Sequence, residues 1–300
     1  LHLVPFGVLD DPSGEGPLLA RREVVSTPSA SALARLRPRR AAAPADPHPP
    51  GSPGPKGPTD RGRVLAVVAD PVFGLEDERL GGSEPLAGAS ASSEPLPDGE
   101  GTSRLGRLPF GRLPFSAQEA EVVLARAPAS ARRSLQGFEA RKDRILEGAL
   151  EGYRILHFAT HGLASSEHPE LSALVLSRLD PEGRPRDGFL WAHEIAGLRL
   201  SAELAVLSAC DSGLGVPLRG EGLVGLPHAF FQAGVPRMVV SLWPVDDRAA
   251  VELMARFYDG YLGRGLDAGE ALRRARLSLL RDPRWSRPYY WAGFTLQGAG

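Results

Sequence analysis

Three hundred residues with an apolar fraction of 42% suffice for one large domain or two small ones around a buried core. Thirty-five basic against 36 acidic residues leave a formal net charge of −1, which gives no electrostatic footing for nucleic acid or an anionic membrane as partner. The single cysteine rules out an internal disulfide and points to a reducing compartment, the cytoplasm. No apolar run reaches the roughly 18 residues of a membrane helix, and the first residues lack the basic-then-apolar pattern of a secretory signal.

In chain order, residues 1–9 read as a strand-like segment. With Leu1 in place of a methionine, the chain reads as the C-terminal part of a longer protein. Residues 37–63 hold a dense Pro/Gly/Arg/Ala tract, and 76–106 are rich in Gly, Ser, Pro and acids. Both lack apolar periodicity and are expected to be disordered insertions. Next to the first, Arg63 to Ala69 reads as a buried strand. Residues 116–126 read as a helix, with Ser116 and Glu119 forming a capping box before an apolar-periodic run. Strands are expected at 154–160, 204–209, 235–242 and 290–296, and helices at 221–233, 246–262 and 267–281. Strands apolar on both faces, alternating with helices, predict a largely parallel sheet covered on both sides.

Two of these strands run into residues with chemistry. The strand 154–160 leads to Thr160-His161-Gly162, and the strand 204–209 leads to Cys210-Asp211-Ser212-Gly213. In an open parallel sheet, sites form outside the C-terminal strand ends, which puts a histidine and a cysteine at one edge. A neighbouring imidazolium holds a thiol as thiolate, a strong nucleophile at neutral pH. The glycine after His161 leaves a backbone N–H open to an oxyanion. Either residue alone reads more simply, the cysteine as a small buried hydrophobe and the histidine as a hydrogen-bonded polar group. The pair at one edge is what favours catalysis. His157 is expected to point into the sheet packing, and His193 and His228 to be structural. No phosphate-binding loop, no Gly-x-Ser-x-Gly elbow and no zinc-binding histidine spacing is present, so neither metal nor cofactor is expected.

The blocks His157-Phe158-Ala159-Thr160-His161-Gly162 and Leu207-Ser208-Ala209-Cys210-Asp211-Ser212-Gly213 resemble the two signature blocks of CHAT domains. These are caspase-like domains that bacteria often place after tetratricopeptide repeats, in the clan of caspases and separases. The 49-residue spacing, histidine first, is similar to the roughly 50 residues of caspases. Further matching blocks run from Gly220 to Leu226, Ala229 to Gly234, Val239 to Asp247, and Ala271 through Tyr290 to Phe294. Weaker ones lie at Leu3-Val4-Pro5, Pro28 to Ser31 and Leu65 to Pro71.

The resemblance implies a single caspase-like three-layer α/β domain over residues 1–300. Residues 1–150 would form the non-catalytic half and 151–300 the catalytic half. It implies a cysteine endopeptidase with Cys210 as nucleophile and His161 as its base, working as a dyad with no orienting acid evident. The N–H groups of Gly162 and Cys210 would be the oxyanion donors. By analogy with separases, a pocket acid would select a basic residue before the cut, Asp247 first and Asp211 second. Arg219 and Arg248 keep an acidic preference open. Asp246 and Asp247 also precede a helix, where an aspartate serves as N-cap, and one can cap while the other serves the pocket. The expected partners are a protein substrate and an upstream repeat region, with neither nucleic acid nor membrane. The rival readings are an inactive caspase-like scaffold and a non-proteolytic thiol hydrolase or acyltransferase.

Overall fold

The computed structural model describes residues 6–9, 17–26, 62–80, 110–163, 171–208 and 225–298. Its centre is a seven-stranded sheet of β1 (Val25–Ser26), β2 (Leu65–Ala69), β3 (Arg132–Gln136), β4 (Ile155–Ala159), β8 (Leu204–Leu207), β9 (Arg237–Ser241) and β10 (Phe294–Gly298), in the order β1-β10-β9-β8-β4-β2-β3. All neighbours are parallel except β10 against β9. A separate antiparallel meander of β5 (His161–Leu163), β6 (Ala173–Val175) and β7 (Phe189–Trp191) grows directly out of β4. The helices are α1 (Pro114–Leu124), α2 (Lys142–Leu146), α3 (Ala192–Gly197), α4 (Gly225–Ala233), α5 (Asp247–Tyr258) and α6 (Ala268–Leu280).

Why both faces are covered follows from strand alternation. Ala66, Val68, Leu156, Phe158, Ala205, Leu207, Met238 and Val240 point to one side, where they pack with Ile145 of α2, Ile195 of α3 and Leu226 and Phe230 of α4. Leu65, Val67, Ala69, Ile155, Leu204, Val206 and Val239 point to the other, against Ala120 and Val123 of α1, Leu253 and Phe257 of α5 and Leu272 of α6. β2 and β4 are buried along their whole length. A fully buried side chain such as Phe158 contributes roughly 1.5–3 kcal/mol. This is the three-layer α/β arrangement expected from strands that are apolar on both faces.

Some local expectations are corrected. Within the segment 1–9, the described part is a 3-10 turn, Phe6–Val8, not a strand. The helix expected at 116 starts earlier: Leu113 is the N-cap and Pro114 occupies the first turn, where its missing N–H costs nothing. There is no Ser116–Glu119 capping box. Ser116 Oγ donates to Leu113 O at 2.6 Å and accepts from Asp70 N–H at 3.1 Å, while Glu119 turns inward. At the ends of the two presumed insertions, Arg63 donates to Glu151 O, and Glu78–Leu80 form a 3-10 turn pinned by Arg79; residues 37–61 and 81–106 lie outside the described part.

The sheet order sets where a site can form. From β2 the chain passes through α1 to β3 on one side, then through α2 back to β4 on the other. The strand order therefore reverses between β2 and β4, and open α/β sheets offer a crevice at such a point.

Candidate active site

His161 is the first residue of β5, one residue past Thr160, where the chain leaves the main sheet for the meander. The Thr160 hydroxyl donates to Val175 O of β6 and fixes that exit. The imidazole is 2% exposed and packs against Phe73 (centroids 4.8 Å apart) and Phe110 (5.4 Å). Its Nε2 lies 2.8 Å from the Gly111 carbonyl. A carbonyl only accepts, so Nε2 carries the ring proton and Nδ1 is the basic nitrogen. The sequence shows no orienting acid, and in the structure the ring N–H meets the backbone carbonyl of Gly111. His161 opens a strand, not the glycine turn expected. Gly162 follows it, buried, in a strand at the edge of its sheet.

The Gly111 carbonyl is itself held. Asp70, at the end of β2, has φ +46°, in the left-handed region that an aspartate tolerates better than most residues. Its carboxylate accepts Arg112 Nε at 3.1 Å and Nη2 at 3.2 Å, and Arg79 Nη1 at 2.8 Å. Arg112 also pairs with Glu78. Arg79, hydrogen-bonded to Asp77, holds the Asp77 carboxyl below its ordinary value. Bidentate guanidinium–carboxylate pairs fix geometry as well as charge, so residue 112 is clamped and 111 with it.

Between α1 and α5, at the ends of β4 and β8, lies a cavity of about 170 Å³ whose lining includes Phe115, Ser116, Glu119, Thr160, Ser208, Val245 and Asp247. Pro244 and Val245 also line it, and Val245 is seated with Trp243 on Gly293, where a Cβ would lie 3.0 Å from both. Asp246 caps α5, accepting from the N–H groups of Arg248 and Ala249, both at 3.1 Å, and Asp247, the next residue, is exposed and lines the cavity. Of the two aspartates, the N-cap is therefore Asp246. Arg248 does not line the cavity; its guanidinium stands 5.1 Å above the Phe115 ring. Cys210, Asp211 and Arg219 lie outside the described residues.

A buried polar chain was not foreseen. Glu119 Oε2 accepts from Ser208 Oγ at 3.1 Å, Glu119 Oε1 lies 3.1 Å from His157 Nε2, and His157 Nδ1 lies 3.1 Å from the Tyr258 hydroxyl. His157 faces α1 and α5 because it alternates with Ile155 and Ala159 on that side of β4. One sequence feature could have revealed Glu119: it falls on the buried stripe of α1, with Ser116, Ala120, Val123 and Leu124 at helical spacing. Among the described residues no metal-binding cluster occurs, and no helix is long and apolar enough to cross a membrane.

Tetratricopeptide repeat protein 28 of Mus musculus is 31% identical over 225 residues, 63% of this chain and 9% of that protein. Its Homo sapiens counterpart is 30% identical over 149 residues, 50% of this chain and 5% of that protein. The chain therefore spans less than a tenth of the curated relatives it matches. Among solved structures it is similar to the Saccharomyces cerevisiae separase–securin complex, with TM-score 0.49 and 13% identity, covering 99% of this chain and 14% of that one. It is also similar to the Arg-specific cysteine proteinase gingipain R, with TM-score 0.43 and 8% identity, covering 79% and 46%. The model of the CHAT domain matches residues 1–299, and the chain belongs to the CHAT domain family.

Proposed function

We propose that this CHAT domain is a cysteine endopeptidase that uses His161 and Cys210 and cuts after a basic residue. The observation that carries the reading is the state of His161: a buried imidazole at a strand exit, its Nε2–H held by the Gly111 carbonyl, so that Nδ1 is the proton acceptor. A second feature supports it. β4 and β8 are parallel neighbours, with Ser208 N–H donating to Phe158 O at 2.8 Å, so the chains leading to His161 and to Cys210 leave the sheet at one edge.

In the proposed reaction His161 Nδ1 takes the Cys210 thiol proton, and the thiolate attacks the peptide carbonyl carbon. The N–H groups of Gly162 and Cys210 are assigned to the resulting oxyanion. The C–N bond breaks as His161 returns the proton to the leaving amine, and water then hydrolyses the thioester to release the acid and the thiol. The domain is proposed to act in the cytoplasm, within a longer protein that carries tetratricopeptide repeats, and on a protein substrate.

A peptide library tests this directly. The 300-residue chain should cleave after Arg or Lys, and Cys210→Ala should cleave nothing. Asp247→Asn should weaken the basic preference only about three- to tenfold, because an exposed carboxylate is screened. Asp211 stands next as a pocket acid if Asp247 proves silent. Absence of cleavage at every site would leave the scaffold reading, and labelling by acyl thioesters without peptide cleavage would favour a transferase.

Asp70 is a positioning residue for the same step. Asp70→Asn loosens the Arg79 and Arg112 clamp and lets the Gly111 carbonyl drift from His161. The expected result is a fall in kcat of about 10–100-fold with KM little changed, together with a shifted acidic limb of the pH–rate profile. A change in thermal stability with an unshifted profile would assign Asp70 a merely structural role.

A further inference from the structure

α6 buries the stripe Leu272, Ala275, Arg276 and Leu279, spaced three and four apart as the inner face of a helix requires. An arginine thus stands where the pattern asks for a hydrophobic residue. It is 5% exposed, with its guanidinium carbon 5.8 Å from the centre of the Trp291 ring. Beside Nη2 lies the turn Phe6–Val8: a Cβ on Gly7 would stand 2.9 Å from Arg276 Nη2 and 3.3 Å from Leu19 Cβ. A side chain at residue 7 would crowd Nη2, and glycine leaves that approach open. None of Gly7, Leu19, Arg276 and Trp291 lines the cavity between α1 and α5.

The guanidinium is charged and has no counter-ion among the described residues. Burial pulls its pKa down to about 10, which still leaves it protonated at neutral pH. Its Nε, sealed from solvent, meets no acceptor among the described residues. Glu270, the one acid of α6, is taken by Arg273 and Arg274, which hold its carboxyl down at about 2. Arg273 Nη1 goes to the Leu19 and Ala20 carbonyls. The contact with Trp291 is attractive, but a ring face offers no hydrogen-bond acceptor in the plane of the five N–H donors. Buried charges are paired as a rule.

We propose that Arg276 anchors an oxyanion-binding site between α6, Trp291 and the turn Phe6–Val8, and that its ligand is a small dissolved anion bearing a carboxylate or phosphate group. The planar fork of a guanidinium matches two oxygens of such a group, whereas chloride, a single sphere, fills one prong at a time. The site is independent of the endopeptidase reading, because it shares no residue with His161, its partners or the cavity.

Calorimetric titration of the full 300-residue chain with inorganic phosphate and with acetate, against sodium chloride at equal ionic strength, tests the site without any turnover. Wild type should bind one phosphate or acetate per chain with saturation, and chloride about tenfold more weakly or less tightly still. Arg276→Met keeps the apolar stem and drops the charge, and should lose about tenfold or more in affinity for both oxyanions. Arg274→Met, on the exposed face of the same helix, should bind as wild type does, which separates the site from a general effect of charge. Gly7→Val crowds Nη2 with the charge left in place and should weaken both oxyanions by about tenfold; it serves as the second variant if Arg276→Met does not fold. Absence of saturable binding by wild type, or equal binding by Arg276→Met, would overturn the proposal. So would binding that emerges only when Asp10→Asn, Asp11→Asn and Glu15→Gln are combined, since the counter-ion would then come from those acids, which lie in sequence between the turn and Leu18.

Discussion

Cys210→Ala should abolish labelling by a peptidyl electrophile ending in arginine, and His161→Ala should slow it by about thirtyfold at pH 7. The second figure follows from the thiol: with the unperturbed pKa near 8.5, about 3% is thiolate at pH 7, and pairing with His161 can raise that at most to completion. The deficit should therefore vanish near pH 9.5, where any thiol is mostly ionised. Turnover of a peptide behaves differently. It also requires a proton on the leaving amine, which no rise in pH supplies, so His161→Ala should cost about 10²–10⁴-fold at every pH. Labelling at an undiminished rate in His161→Ala would show that this histidine does not activate the thiol. Loss of labelling that high pH fails to restore would mean that the substitution has damaged the site, since His161 also fills a buried place between Phe73 and Phe110.

How far the sequence carries the fold depends on the element. β2, β4, β8 and β9 lie between two helical layers, so each is apolar on both faces and stands out as a short hydrophobic run. β3 is an edge strand with one buried side chain, Leu135, in Arg-Arg-Ser-Leu-Gln; nothing in its pattern marks a strand. The meander strands are three residues each, too short for any period, and only pairing with one another makes them strands. The site divides similarly. His161 is legible because an ionisable side chain at a strand exit is conspicuous. The Gly111 carbonyl is not, because every residue has one and its reach to His161 depends on a clamp through Asp70 and Arg112, 42 residues apart. Glu119 was hidden by an equally good local explanation, a capping box with Ser116, which the earlier start of α1 at Pro114 removes.

The second large effect concerns stability. His157→Leu should destabilise the domain by about 3 kcal/mol, read as a fall in Tm of roughly 6–12 °C. The residue is fully buried, with Nε2 3.1 Å from Glu119 Oε1, and the other polar neighbour of that carboxyl is the Ser208 hydroxyl. Removing it keeps the apolar volume but strands a buried carboxylate. Tyr258→Phe deletes only a neutral hydrogen bond to Nδ1 and should cost about 1 kcal/mol. The ordering of the two variants is thus set by charge and not by size, although the phenol is the larger group. A double variant separates this from simple packing loss. Glu119→Leu added to His157→Leu removes the stranded charge and should recover part of the lost Tm, because apolar replacement of both members of a buried polar pair is often close to neutral. If the double variant is instead less stable than His157→Leu alone by the full cost of a core substitution, the carboxylate was not stranded and its compensation lies elsewhere.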